Sequence, residues 1–432
     1  MVPRRPGRRG LSRPIGRRRA AGDTGILDVA GADWGTPTGR SPEEVCRRVL
    51  WRDRSFVLLW AGQTVSLVGS QVTVVAVPLV AALALGAGPW EVGVVAACGR
   101  APYLLFGLPA GVWVDRSRRR VVAGVCAVGQ AVALAVVPAA AAAGVLTVWL
   151  LAAAAAVAGT FAVFGDIAGL ALVPMVVPRA SLTRAQGAVE AGQATAQVAG
   201  PALGGWLVEA VTAAGAVLVD AVSFLVAAVA LAWVRVVERP RPGGTVRAGV
   251  RAVFGHQGLR RVTLCTATHV FWFNAFTVVL LLHLVSALGF SAARVGVTLS
   301  VGAVGGLVGA LVAARLGERW GRRRTMVAAV LATGAGQALV AVDALLVGAV
   351  ALMWFALQVY HVHQVPVRYE AAPAALHGRV NATIRTAVWG TAPLGALAGG
   401  LLGDAVGPRA TLVVSGLGAA TACLWLVRAR VG

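Results

Sequence analysis

The chain has 432 residues, 58% of them hydrophobic and 13% charged, yet it carries a formal net charge of +22. A soluble globular chain is about half apolar and a quarter charged, so this balance points to a membrane and implies no nucleic-acid partner. All 39 basic residues are arginine, which excludes a Walker A phosphate loop and a pyridoxal-phosphate Schiff base, both of which need lysine.

Residues 1–54 hold 13 arginines and six acids without a sustained apolar run. Such a composition cannot bury a core, and the segment reads as a disordered, arginine-rich cytoplasmic arm. Beyond it come apolar stretches of about 20 residues, the length that crosses roughly 30 Å of hydrocarbon. They fall at 56–85, 91–114, 121–143, 145–173, 182–209 and 214–236, then at 262–288, 293–314, 325–343, 346–367, 380–404 and 408–428. The expected fold is an all-α integral membrane protein with twelve transmembrane helices in two six-helix bundles, 55–236 and 262–432, joined by a cytoplasmic linker at 237–261. The five cysteines form no CxxC pair, so neither a disulfide framework nor a metal site is expected.

Basic loop residues resist translocation. Of the 26 arginines beyond the arm, 23 fall on the even-numbered connections, the linker and the C-terminal end, Arg385 being counted among them, and only Arg294 and Arg409 on the opposite side. Both termini are therefore expected in the cytoplasm of a multi-pass cell-membrane protein.

Charges inside spans cost about 2.5–3.5 kcal/mol each on insertion scales, which makes them candidates for charge or proton relay. Four stand out: Arg100 near mid-span two, Asp166 in span four, Glu190 in span five and Asp220 in span six. The first two acids are placed toward the cytoplasmic ends and Asp220 nearer the outside. Span seven carries His269, Phe276 and His283 on one seven-residue stripe, flanked by Asn274. Ordinary hydrogen bonding between helices is the plainer reading of each histidine.

The second half echoes the first. A shift of 195 residues lays Gly200, Gly204 and Gly205 on Gly395, Gly399 and Gly400, and Glu190 on Arg385. The last pairing offers opposite charges at equivalent depths, suited to an ion pair locking the two halves. Asp115-Arg116-Ser117-Arg118-Arg119-Arg120 likewise has a counterpart in Glu318-Arg319-Trp320-Gly321-Arg322-Arg323-Arg324. A six-plus-six parallel repeat is a transporter architecture, in which two bundles rock about a midplane site.

Gly111-Val112-Trp113-Val114-Asp115-Arg116 with Arg119 and Arg120 resembles the loop signature of the major facilitator superfamily, and Gly200-Pro201 with Gly204-Gly205 resembles that family's exporter-associated signature. Stretches around Trp60-Ala61-Gly62-Gln63 and Gly378-Arg379-Val380-Asn381 are similar to its drug- and siderophore-exporting branch. Arg118 stands where the loop signature has its second glycine, and span four lacks the arginine of many proton-coupled exporters. The resemblance covers about residues 55–430 and implies the major facilitator fold. It also implies a gate loop of Gly111, Asp115, Arg116, Arg119 and Arg120, echoed by Glu318, Arg319 and Gly321, and a packing hinge at Gly200, Pro201, Gly204 and Gly205. Spans one, four, seven and ten line the family's central cavity, so Gln63, Gln71, His269, Asn274, Phe276, His283, Tyr360, His361 and His363 become cavity candidates.

The expected function is secondary active export of a small amphiphilic organic molecule by proton antiport, without a cofactor beyond the proton gradient, by a monomer in contact with membrane lipid. A metabolite importer coupled by proton symport is the alternative within the same class. A non-transporting receptor or scaffold would be expected to lose the gate signatures. An embedded enzyme would show a clustered acid, nucleophile or metal set, and none stands out in the sequence, so no enzymatic activity is expected.

Overall fold

The computed structural model describes residues 51–178, 181–236, 238, 246–371 and 377–427. Residues 1–50 of the expected arm, Arg179, the linker stretch 239–245 and the arginines at 428 and 430 lie outside the described residues, whereas the arm's last residues, Asp53 and Arg54, open the first helix. In lipid the backbone finds no water, so a spanning segment must satisfy its own hydrogen bonds, and every described element is accordingly helical.

The first bundle runs through span one (Arg54–Leu79, prolonged by a π-helical turn, Val80–Ala84), span two (Pro89–Arg116), span three (Arg119–Ala142), span four (Val148–Val176), span five (Leu182–Val211) and span six (Ala213–Trp233). A linker helix, Val246–Gly255, precedes the second bundle. There the order is span seven (Gln257–Leu282, with a π turn at His283–Ala287), span eight (Ala292–Trp320), span nine (Arg322–Leu339) and span ten (Leu346–Glu370). Span eleven comes in two pieces (His377–Trp389 and Ala392–Val406), and so does span twelve (Pro408–Thr421 and Cys423–Val427).

Nine of these are apolar and long enough to cross a membrane by themselves. The other three have local reasons for falling short. Span five carries Arg184, Glu190 and Glu209, span nine opens on three arginines, and span eleven breaks after Trp389.

Polar side chains define several starts. Asp53 Oδ1 accepts from the Ser55 and Phe56 N–H groups at 2.9 and 3.3 Å, and Thr147 and Ser291 cap spans four and eight in the same manner. The repeat extends to such details. Both π turns close spans one and seven at the same end, each followed by a glycine of positive φ, Gly86 at 63° and Gly289 at 62°. Between spans five and six the chain turns at Thr212, φ 89°, where the second half has Gly407 at 84°.

We call the side where span one begins and span six ends the linker side, and the opposite one the far side. On the far side a single buried apolar cluster unites the bundles, joining Val72, Leu79, Val92 and Leu151 to Phe276, Val295, Val350 and Ala396. On the linker side the clusters stay within one bundle each. Phe56, Val114, Leu172 and Leu231 belong to the first; Val262, Met326 and Val359, and separately Val253, Leu259 and Ile384, belong to the second. The linker helix is part of this last group: Val253 is fully buried against span eleven. The molecule is thus sealed on its far side.

Candidate functional site

The seal is made by backbone-to-backbone contact. Span five meets span eight where Gly205 faces the Ala292 carbonyl and Gly296 faces that of Pro201, and a Cβ on either would stand 2.2–2.3 Å from the oxygen. Span two meets span eleven in the same fashion, Gly93 against Ala396 and Gly400 against Pro89, each 2.8 Å from a carbonyl oxygen by the same measure. Small residues allow this approach. The span-five signature divides its work between two faces: Gly200 and Gly204 pack on Gln71 and Val72 of span one, while Pro201 and Gly205 cross to the other bundle. Gly395 and Gly399 pack on span seven and Gly400 crosses, so the repeat seen in sequence holds in space.

Acids finish the seal. Glu209 Oε1 accepts the Ala293 N–H at 2.9 Å, capping span eight from the opposite bundle, where the helix end favours negative charge. Asp404, its counterpart under the 195-residue shift, comes against Gly88 at the start of span two. Neither acid stands out in the sequence, because both look like ordinary loop-end charges until their helix partners are known.

At mid-depth, Asp166 Oδ2 accepts from the Tyr103 hydroxyl at 2.6 Å and from Arg385 Nη2 at 3.2 Å. This joins spans two and four of the first bundle to span eleven of the second. Arg385 therefore does not belong to a basic connection; it lies about two turns inside span eleven. Nor does it pair with Glu190, which is exposed and meets Gln186 on its own helix. Repeat symmetry picks the right arginine and the wrong acid. Repeat-related positions lie on corresponding helices, whereas a pair across the bundles needs helices that face each other. The side chains of Asp166 and Arg385 are 46% and 38% exposed, so the pair is reachable. Tyr103 is an addition that sequence patterning misses, although it lies one turn beyond Arg100, and its ring lies 6.3 Å from that of Trp389 in span eleven.

Arg100 is half-buried, with no hydrogen bond or ion pair among the described residues. Asp220, by contrast, is sealed between spans one and six, accepting from Thr73 at 2.5 Å and from Ser223 at 3.0 Å.

The two basic loops are anchored within their own bundles. Asp115 pairs with Arg119 at 3.0 Å, Arg119 reaches Met175 of span four, and Arg120 bonds the Val234 carbonyl and, through its N–H, Glu238. A side chain added at Gly111 would meet open space, and Arg116 is exposed. The turn at Ser117-Arg118 is extended, φ −103° and −73°, and needs no glycine. Its counterpart does use one, Gly321 at φ 79°. Beside Gly321, Glu318 and Arg319 are exposed, and Arg322 holds Glu370 through two bonds of 2.5 and 2.9 Å.

The cavity candidates of span seven are core residues. His269, Asn274, Phe276 and His283 are all at least 96% buried. Asn274 bonds back to Val270, and Phe276 joins the far-side cluster. His283 lies in the π turn, 3.5 Å from Asp343 of the loop between spans nine and ten, far from any midplane site. The stripe is periodic because it packs inside the bundle. Tyr360 is equally buried, bonded to Thr266 at 2.7 Å, and His363 packs on Gly317. His361 and Gln63 are half-buried, the latter against Gly169 of span four. The His269 ring lies 6.3 Å from that of Phe273 and 6.4 Å from that of Tyr360.

A family model described as Major Facilitator Superfamily matches residues 59–280 and 262–431. The multidrug efflux pump Tap of Mycobacterium tuberculosis is 30% identical over 385 residues, covering 85% of this chain and 91% of that protein, and Tap of Mycobacterium bovis matches equally. A solved bacterial homologue of the iron transporter ferroportin, inward-facing, superposes with a TM-score of 0.70 at 19% identity, covering 87% of this chain and 99% of that one. A bacterial homologue of the human lysosomal transporter Spinster, also inward-facing, gives 0.67 at 16% identity over 86% and 95% of the two chains.

Proposed function

The chain belongs to the Major Facilitator Superfamily, and from that premise we propose that it exports small amphiphilic organic molecules from the cytoplasm in exchange for protons. The relatedness to multidrug efflux pumps supports the direction. The arginine-rich linker side is the cytoplasmic side in this reading, in keeping with the bias of basic loops. The structure is then the inward-open state, ready to take substrate from within.

The observation that carries the coupling is the Asp166 carboxylate, held by Tyr103 and Arg385 across the two bundles. Ionised, it ties span four to span eleven. A proton on Asp166 removes the charge that Arg385 answers, and substrate bound against Arg385 draws that side chain away; either event frees the bundles to change their angle. In an exchange cycle the proton enters Asp166 from outside in the opposite state. It leaves toward the cytoplasm as the ion pair reforms, and substrate loads onto the deprotonated protein. The glycine seams let the backbones of the two bundles touch on the sealed side, a contact that the opposite state gives up together with the far-side core.

The test is transport by the full chain in proteoliposomes with an imposed pH gradient, using matched amphiphilic probes that are anionic, neutral and cationic. Gradient-driven movement is expected in the wild type, with at least tenfold loss in Asp166→Asn and in Arg385→Gln. Movement that ignores the gradient for every probe refutes antiport.

A further inference from the structure

We propose that Arg100 makes this transporter selective for amphiphiles bearing an anionic group, a carboxylate or its equivalent, bound at mid-depth where span two faces the break in span eleven. The inference rests on the transport reading above and specifies the substrate class of that site.

Span two places Arg100 one heptad from Gly93 and one from Gly107, so the three residues lie on nearly one stripe. Gly93 touches Ala396 and Gly400 of span eleven, and Gly107 touches Thr386. Leu104 meets Gly390. Arg100 therefore stands level with the interruption at Gly390-Thr391, where His377–Trp389 ends and Ala392–Val406 begins.

The charges at this depth do not balance. Two guanidiniums, Arg100 and Arg385, face one carboxylate, Asp166, and that carboxylate is already taken by Tyr103 and Arg385. The other buried acid of the first bundle, Asp220, is enclosed by Thr73 and Ser223. A cationic substrate would find no free acid among these groups, whereas an anion finds a guanidinium with no partner among the described residues. Tyr103 and Trp389, rings 6.3 Å apart and on opposite bundles, offer an apolar face beside the charge. An aromatic or aliphatic body with one acidic group fits both features, and a charged partner is what a mid-membrane arginine requires.

Binding to the detergent-purified full chain would be measured with three matched fluorescent probes: dansylglycine (anionic), dansylglycinamide (neutral) and dansylcadaverine (cationic). Dansylglycine is expected to bind at least about tenfold more tightly than either of the others, the range of one charge-assisted hydrogen bond. Arg100→Gln should abolish that preference while binding of the amide persists, which also reports an intact fold; Arg100→Lys should keep most of it. Should Arg100→Gln fail to fold, the wild-type preference for acid over amide, lost on raising the salt, carries the same test. Equal binding of the acid by wild type and Arg100→Gln overturns the proposal, as does a preference for the cation. Displacement of bound dansylglycine by phosphatidylglycerol but not by the unlabelled carboxylate hippurate would reassign the site to a lipid headgroup and overturn the proposal too.

The flux of dansylglycine and dansylcadaverine in phosphatidylcholine vesicles separates this inference from antiport. Gradient-driven movement of the cation alone, insensitive to Arg100, leaves export standing and removes the anion site. Arg100-dependent binding of the acid, with flux indifferent to pH, does the reverse.

Discussion

Thr212 holds φ 89° and ψ 159°, a region that side chains rarely enter, while its hydroxyl caps the Gly215 N–H at 3.2 Å. Strain of this kind costs about 1–3 kcal/mol, and replacing a threonine cap by glycine costs only a few tenths. Thr212→Gly, the residue the second half uses at Gly407, should therefore stabilise the protein by roughly 1 kcal/mol. Thr212→Ala keeps the strain, loses the cap and should destabilise; thermal unfolding in detergent distinguishes the two. Glu370, just past the apolar stretch of span ten, gives a pH prediction. Arg322 holds its carboxyl below the usual carboxylate range, so the pair contributes above the ordinary glutamate value of about 4.3 and is lost as pH falls through the lowered one. The unfolding midpoint of Glu370→Gln should lie below that of the wild type at pH 7, and the gap should close as the pH is lowered through the acid range. Single residues are also where the sequence misleads. Arg100, Asp166 and Arg385 are visible as charges in or beside apolar runs, but which of them meet depends on helix facing, which no spacing within one helix encodes. Tyr103 carries no signal beyond its distance of one turn from Arg100.

Among the elements, spans five and eleven do more than pack. Each lays glycines against its own bundle and others against the opposite one, and each ends in an acid beside a helix start across the seam. Gly205→Val would place branched carbon into the Ala292 carbonyl, at an overpacking cost of about 1–3 kcal/mol that opening the seam relieves. Cysteines at positions 209 and 293, with the five native cysteines replaced, should cross-link readily on the glycine background and much less with valine at 205. Undiminished cross-linking would mean that these glycines do not set the seal. The glycine signature and the repeat are legible in the chain because they are matters of spacing. The two-faced use of the signature is hidden there, since it needs the position of the second bundle.

For the whole molecule, length and hydropathy suffice to find twelve spans even where three of them fail a strict criterion of apolar length. Arg322, Arg184 and Glu209 sit at or near the ends of helices whose middles remain largely apolar. Which side is open cannot be read from the chain, because it depends on one far-side core uniting both bundles while the linker-side cores stay separate. The π turns at Val80–Ala84 and His283–Ala287 add a mechanical property to this architecture. Each stores one more residue per turn than the helix it prolongs. Winding that residue back into α geometry would rotate everything beyond it by about 100° and lengthen the span by about 1.5 Å. Because each π turn is the last of its span, that adjustment falls on the short loop that follows, so the ends of spans one and seven can each be rewound by one residue while the body of the helix stays in place.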